Sequence, residues 1–290
     1  MAVYERNYGR YQGALTPPWS RFLVLPRYAY QEVFKSKAFV AFFSLCFLTP
    51  FAGLLIIYLH HNLSALQFMG MSLAQLKDAI PIDARFFAEG TAVQSTFAFV
   101  LVLVVGPTLV APDLRNNGLP LYLSRPFSRT EYVLGKLAVL VILLSLITWI
   151  PGLLLVLFQG YLEGAGWLGR NLGIAWAIFA GSWTWILTLS LLALAVSSWV
   201  KWKPVARVAL LMLFFALTGF GKAINEALDT WWGGLLSLGV VITRVFQGLF
   251  GVDLDDPDIP FAVAWVMIGV WCLISLWLLS RRIRAYEVVR

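Results

Sequence analysis

The chain has 290 residues, 60% of them hydrophobic and only 13% charged, with a mean hydropathy of +0.79. A soluble domain carries about 25% charged residues, so the composition excludes a water-soluble globule and points to several membrane spans of roughly 20 residues each. The net charge of +7 reads as cytoplasmic Lys and Arg under the positive-inside bias, and no nucleic-acid partner is expected.

Residues 1–18 are rich in Tyr, Arg and Gly and end in Pro17-Pro18, which reads as an irregular tail. The first apolar run starts near Ala38. That is too late and too long for a cleavable signal, so this run is expected to stay as an anchor. Between them, residues 19–37 predict an interfacial helix lying on the lipid bilayer. Pro26 suits a first helical position. From there Arg27, Gln31 and Lys35 recur every four residues on one face, while Tyr30, Val33 and Phe34 fall on the other.

Six spans are predicted, at about 38–59, 93–111, 132–158, 172–200, 205–220 and 260–280, in one membrane domain covering 1–290. Pro50 and Gly53 interrupt the first, Gly106-Pro107 bends the second, and Pro151 kinks the third. The connection 60–92 is amphipathic, with a short surface helix expected within 65–80. Ser128-Arg129-Thr130-Glu131 has the capping-box pattern at the start of span three. Pro204 opens span five after the basic turn Lys201-Trp202-Lys203.

Leu235–Phe250 is apolar but short and carries Arg244. It predicts re-entrant outer helices between spans five and six, because a seventh crossing would put the arginine-rich tail outside. With six spans, 17 of the 22 Lys and Arg fall on the side of the two termini, whereas ten of the 15 acids fall on the other. Both termini are therefore expected in the cytoplasm of a cell-membrane protein.

Catalytic signatures are missing. Gly135-Lys136 is followed by Leu137, and Gly221-Lys222 by Ala223, so no phosphate-cradling loop is formed. His60 and His61 are adjacent and lack metal-pair spacing. Asp253, Asp255, Asp256 and Asp258 lack the terminal Glu of a calcium loop. Cys46 and Cys272 lie inside apolar runs and read as small buried hydrophobes. The spans carry almost no ionisable residues, which argues against a proton- or sodium-coupled carrier. If the chain is a transporter, something else must then supply the energy, and a soluble ATPase docking on a cytoplasmic loop would do so.

The long polar connection on the inner side is GPTLVAPDLRNNGLPLYLSRPFSRTEYVLGK, residues 106–136. Asp113 is placed to cap a short helical continuation of span two, with Gly118 and Pro120 ending it. Arg115, Arg125 and Arg129 are suited to charge-assisted hydrogen bonds with acids of a partner. This stretch resembles the corresponding loop of ABC-2-type permeases, the membrane subunits of ABC exporters. The matching elements are Gly106-Pro107, Asp113, Arg115-Asn116-Asn117-Gly118, Leu123-Ser124-Arg125-Pro126, Ser128-Arg129, Glu131-Tyr132 and Gly135-Lys136. The tail Arg281-Arg282-Ile283-Arg284-Ala285-Tyr286-Glu287-Val288-Val289 is similar to the family's ending.

The resemblance implies a dimer of two permease copies or homologues, each paired with a separate nucleotide-binding ATPase subunit. ATP and Mg would bind that subunit; no cofactor is expected on this chain, and the chain is not itself an enzyme. Asp113, Arg115, Asn116, Asn117, Arg125, Ser128, Arg129 and Glu131 would form the coupling loop. The helix bearing Arg27, Tyr30, Val33, Phe34 and Lys35 would be the elbow helix. Two other readings stand beside the exporter. One is a mechanotransmitter that passes ATPase motion to an extracytoplasmic partner. The other is an intramembrane lipid-modifying enzyme, which would need clustered polar residues at one depth that the sequence does not show.

Overall fold

The structure is a computed structural model that describes residues 23–62, 80–116, 128–252 and 259–282. The tail at 1–18, all but the last residue of the surface helix expected within 65–80, Asn117, Gly118, Pro120, Arg125, the acidic group at 253–258 and the tail at 283–290 lie outside the described residues. Within them there are helices and no strands. Six helices are long and apolar enough to cross a membrane: Lys37–His61, Ala84–Arg115, Arg129–Glu163, Leu172–Trp199, Lys203–Leu228 and Phe261–Arg282. The chain is an all-helical, multi-pass membrane protein, and these helices are spans one to six below.

Span four is the centre of the bundle. Of its most apolar window 72% is buried, against 17% for spans one and five and 22% for span six. Its small residues allow close neighbours. A Cβ added at Gly106 of span two would stand 2.9 Å from Ala193 Cβ, so the two backbones cross nearly in contact. Leu189, Leu192 and Leu194 join Leu101, Val105, Leu140 and Leu144 in the same core. Burying each such side chain contributes about 1.5–3 kcal/mol in water, but between lipid-exposed helices close packing has to supply most of the association.

Prolines decide where the long helices break. Pro50 has no N–H to give the Cys46 carbonyl, four residues back. Span one accordingly divides into Lys37–Leu45 and Leu48–His61. The freed carbonyl accepts instead from Gln94 Nε2 of span two at 3.0 Å. Span three divides into Arg129–Ile147 and Trp149–Glu163. The break is at Thr148, whose ψ is −95°, and it follows the Ile147 carbonyl that Pro151 leaves without its helical donor. Pro107, by contrast, is accommodated inside an unbroken helix that ends at Leu109.

Two predicted boundaries move by more than five residues. Span two begins at Ala84, nine residues before the expected start, because Asp83 accepts from Phe86 N–H and caps the helix. Its polar first turns hold an exposed Arg85–Glu89 pair at 2.8 Å, which lowers local hydropathy without disturbing the helix. Span five runs to Leu228, eight residues past the expected end, and stops at Asp229 with φ 47°.

Beyond it, the expected pair of outer helices resolves into a short 3₁₀ turn, Trp232–Leu236, and one helix, Leu238–Phe250. Thirteen residues rise about 20 Å, too short for a hydrocarbon core of about 30 Å. Leu238, Val241, Ile242, Val245 and Phe246 are buried, and Gly181 of span four lies against the Phe246 ring. Arg244 is not free in lipid. Its Nε donates to the Ile259 carbonyl at 2.7 Å.

Candidate functional site

The site gathers where span two ends and span three begins. Val110 leaves the helical path, and a five-residue helix, Ala111–Arg115, follows. Its first amide is buried and needs an acceptor. Ser197 of span four supplies it, with Ala111 N–H donating to Ser197 Oγ at 3.0 Å. Ser197 is fully buried, so the base of the polar connection is tied to the central helix.

Asp113 does not cap this helix, which has no side-chain cap bond. It sits inside the helix, and its carboxylate turns toward span three. Lys136 Nζ lies 2.9 Å from Asp113 Oδ2, and Tyr132 Oη donates to the same oxygen at 2.7 Å. Tyr132 and Lys136 are four residues apart and therefore share a helix face. Tyr132 is fully buried, and the side chains of Asp113 and Lys136 are 17% and 11% exposed. A carboxylate so placed loses much of its water, and it holds only because an ammonium and a phenol meet it together.

The capping box forms in full. Glu131 N–H donates to Ser128 Oγ at 3.2 Å, and Ser128 N–H donates to Glu131 Oε2 at 2.6 Å. Ser128 and Glu131 thus hold the first turn of span three. Arg115, Asn116 and Arg129 are exposed. Of the expected coupling residues within the described segments, these three present their side chains to the outside, Asp113 turns into the fold, and Ser128 and Glu131 are engaged with each other at the surface end of span three.

A helix at Val24–Val33 packs across the same end of span three. Pro26 is its third residue, not its first; the first four amides of a helix lack partners in any case, so the missing N–H costs nothing there. Arg27 and Gln31 are exposed, and Tyr30 and Val33 are half-buried. Tyr30 Oη donates to the Val139 carbonyl at 2.9 Å. Burial pushes the Tyr30 phenol above its ordinary range. The helix ends at Val33, so Lys35 lies beyond it, beside Glu32 at 3.6 Å. Phe34, at the C-cap, packs edge-on against Phe39 and Phe43 of span one at 5.2 and 5.6 Å between centroids. Ser36 then caps span one by accepting from Phe39 N–H.

Between this helix and the Asp113–Lys136 pair lies a cavity of about 530 Å³, lined also by Tyr28, Glu32 and Thr108. The sequence offered one signal for this arrangement, the i, i+4 spacing of Tyr132 and Lys136 opposite a single upstream acid. Ser197 gave none, being one serine among several in an apolar run.

At the other end of the bundle His61 Nε2 lies 3.0 Å from Glu163 Oε2, and its Nδ1 lies 3.0 Å from the Ile57 carbonyl. Among the described residues no three His, Cys, Asp or Glu side chains converge as metal ligands. The chain matches no protein-family model and no curated protein.

Proposed function

We propose that the chain is the permease subunit of an ATP-driven ABC transporter, an exporter, with ATP and Mg held on a separate nucleotide-binding subunit and with a second permease copy completing the assembly. The observation that carries this reading is the clamp formed by Asp113, Tyr132 and Lys136. It joins the two ends of the polar connection, and Ser197 ties that connection to the central span. A push on exposed Arg115 or Arg129 would be delivered to a stiff frame, not absorbed by a loose loop. The resemblance of 106–136 to the coupling loop of ABC-2-type permeases supports the same assignment. So does the helix at Val24–Val33, which braces span three as an elbow helix would. The excess of Lys and Arg on the side of both termini makes that side cytoplasmic.

The exposed Trp232, stacked on Trp231 at 5.3 Å between ring centroids, favours a second reading in which the opposite end engages an extracytoplasmic partner and the chain transmits force. The helix Leu238–Phe250 would then be a re-entrant element behind that surface.

The test is co-purification of the chain with the nucleotide-binding subunit encoded beside it, followed by ATP turnover in nanodiscs. Arg115→Glu with Arg129→Glu is expected to abolish the complex while the protein stays monodisperse. A native chain that neither retains such a subunit nor alters its ATP turnover refutes the assignment. Trp231→Ala with Trp232→Ala separates the two readings, since it spares ATP turnover in both but removes the outer partner only in the second.

A further inference from the structure

Where spans four and six end, two arginine guanidinium groups lie over tryptophan rings. Arg281 Cζ is 4.6 Å from the centroid of the Trp277 ring, one turn back on span six. Arg282 Cζ is 5.7 Å from that of Trp199, the last residue of span four. Trp199 is tied in turn to span six, its Nε1 donating to the Leu278 carbonyl at 3.3 Å. A guanidinium within about 6 Å of a ring centroid is attracted to it, and the contact takes up no carboxylate. All four side chains are exposed.

The charge at this end is uncompensated. Lys201 follows Trp199 by two residues, so its Cα lies within about 7.6 Å of that of the tryptophan, and Lys203 opens span five just beyond. Both lysines are exposed. Among the described residues no carboxylate pairs with Lys201, Lys203, Arg281 or Arg282, whereas Arg85 has Glu89 and Lys136 has Asp113. The donors of these four cations thus remain for an acceptor from outside. Span five adds to the same field. Its N-cap, Trp202, makes no side-chain cap bond, so the positive end of that helix is not offset by a capping side chain.

Further along span six the surface turns apolar. Trp277 and Leu273 stand four and eight residues before Arg281 and so share its helix face. Ile274 lies beside Leu273, and the two are 45% and 66% exposed. One stripe therefore runs from guanidinium through indole to aliphatic side chains. A phospholipid presents its phosphate, its glycerol esters and its acyl chains in the same order. Indole rings settle at the level of the headgroups, which puts the two arginines beside the phosphates.

We infer that the ends of spans four and six, with the turn at Lys201, hold an anionic phospholipid by its phosphate, one acyl chain lying along Leu273 and Ile274. Arg281 and Arg282 offer planar N–H forks to the phosphate oxygens. The headgroup is one without an ammonium, phosphatidylglycerol being the simplest, because cations that no described carboxylate offsets repel an amine. A free phosphate would meet the cations but leave the apolar stripe uncovered. Nothing in this site requires the ATPase.

The probe is phosphatidylglycerol, compared with phosphatidylethanolamine of the same acyl chains, titrated onto the purified full chain in detergent and read by native mass spectrometry. The native protein is expected to retain the glycerol lipid several-fold more tightly. Arg281→Gln with Arg282→Gln should weaken that retention by roughly 25-fold, about fivefold for each basic residue removed at an anionic headgroup. Arg115→Gln with Arg129→Gln removes the same charge from the same side and should leave retention as it was. Trp199→Leu should weaken it about two- to fivefold with every charge in place. Equal retention of the two lipids by the native protein overturns the inference without recourse to any variant. Equal loss in the two arginine pairs also overturns it, since only diffuse charge would then be at work. Displacement of phosphatidylglycerol by millimolar inorganic phosphate overturns it in favour of a site for free anions.

Discussion

Asp113 and Lys136 meet at 2.9 Å across the two ends of the polar connection between spans two and three. Neither end can move away without separating a charge pair that is mostly shielded from water. Breaking a buried pair by removing one partner costs about 3–5 kcal/mol, whereas replacing both by apolar groups is often neutral. The Asp113→Leu and Lys136→Met single variants should each lose stability, by about 3 kcal/mol, and the double variant should recover most of it. Thermal unfolding in detergent followed by size-exclusion chromatography reads this directly. Single variants as stable as the native protein would show that the clamp contributes nothing.

Ser197 should control the base of the connection without touching its tip. Ser197→Ala leaves the Ala111 amide unpaired at a buried position, which costs about 1–3 kcal/mol locally. Hydrogen exchange is expected to accelerate at 111–114, while the capped turn beginning at Ser128 stays protected. Uniform acceleration across both segments would mean the bond stabilises the bundle as a whole, not this turn.

Pro50 and Gln94 should behave as a coupled pair. Gln94→Leu strands the Cys46 carbonyl, with a penalty of about 1–3 kcal/mol. Pro50→Ala returns the missing amide. In the double variant the penalty should largely vanish, giving an interaction energy of at least about 1 kcal/mol in a double-mutant cycle. Additive effects would show that the side-chain bond does not stand in for the backbone one.

Docking of the Val24–Val33 helix should be indifferent to pH until strongly alkaline conditions. Burial holds the Tyr30 phenol above its ordinary range, so the proton it donates to the Val139 carbonyl stays in place at neutral pH. A raised folded-state value contributes stability that is complete below the unfolded tyrosine value of about 10 and is lost as pH rises beyond it. Ultraviolet titration of tyrosinate, compared between native protein and Tyr30→Phe, should assign a late-ionising phenol to Tyr30. A Tyr30 that ionises with the exposed tyrosines would mean the helix is not docked.

What the sequence revealed was what depends on neighbours in the chain. Long apolar runs announced the spans, and the capping box was legible because Ser128 and Glu131 are three residues apart and need nothing else. The role of Asp113 was not legible. In isolation an acid after a proline at a helix start looks like a cap, and only the second turn of span three shows that it faces a lysine and a tyrosine. The early start of span two was hidden for a different reason. Arg85 and Glu89 make the first turns polar, so hydropathy alone marks them as connection, although they pair along one helix face. The exposed ends of Arg115 and Arg129 follow from the pattern; the frame beneath them does not.

The bend in span one has a mechanical meaning. At Cys46 the helix is held by a side chain of another span, not by its own next turn. The segment Leu48–His61 can therefore swing as a rigid rod without giving up any backbone bond that proline has not already removed. Its far end is held separately, by the packing of Gly53 against Leu155 and by the His61–Glu163 contact. Span one has in effect a joint whose pin is carried on its neighbour, so the two spans keep their mutual angle only while that one amide stays in place.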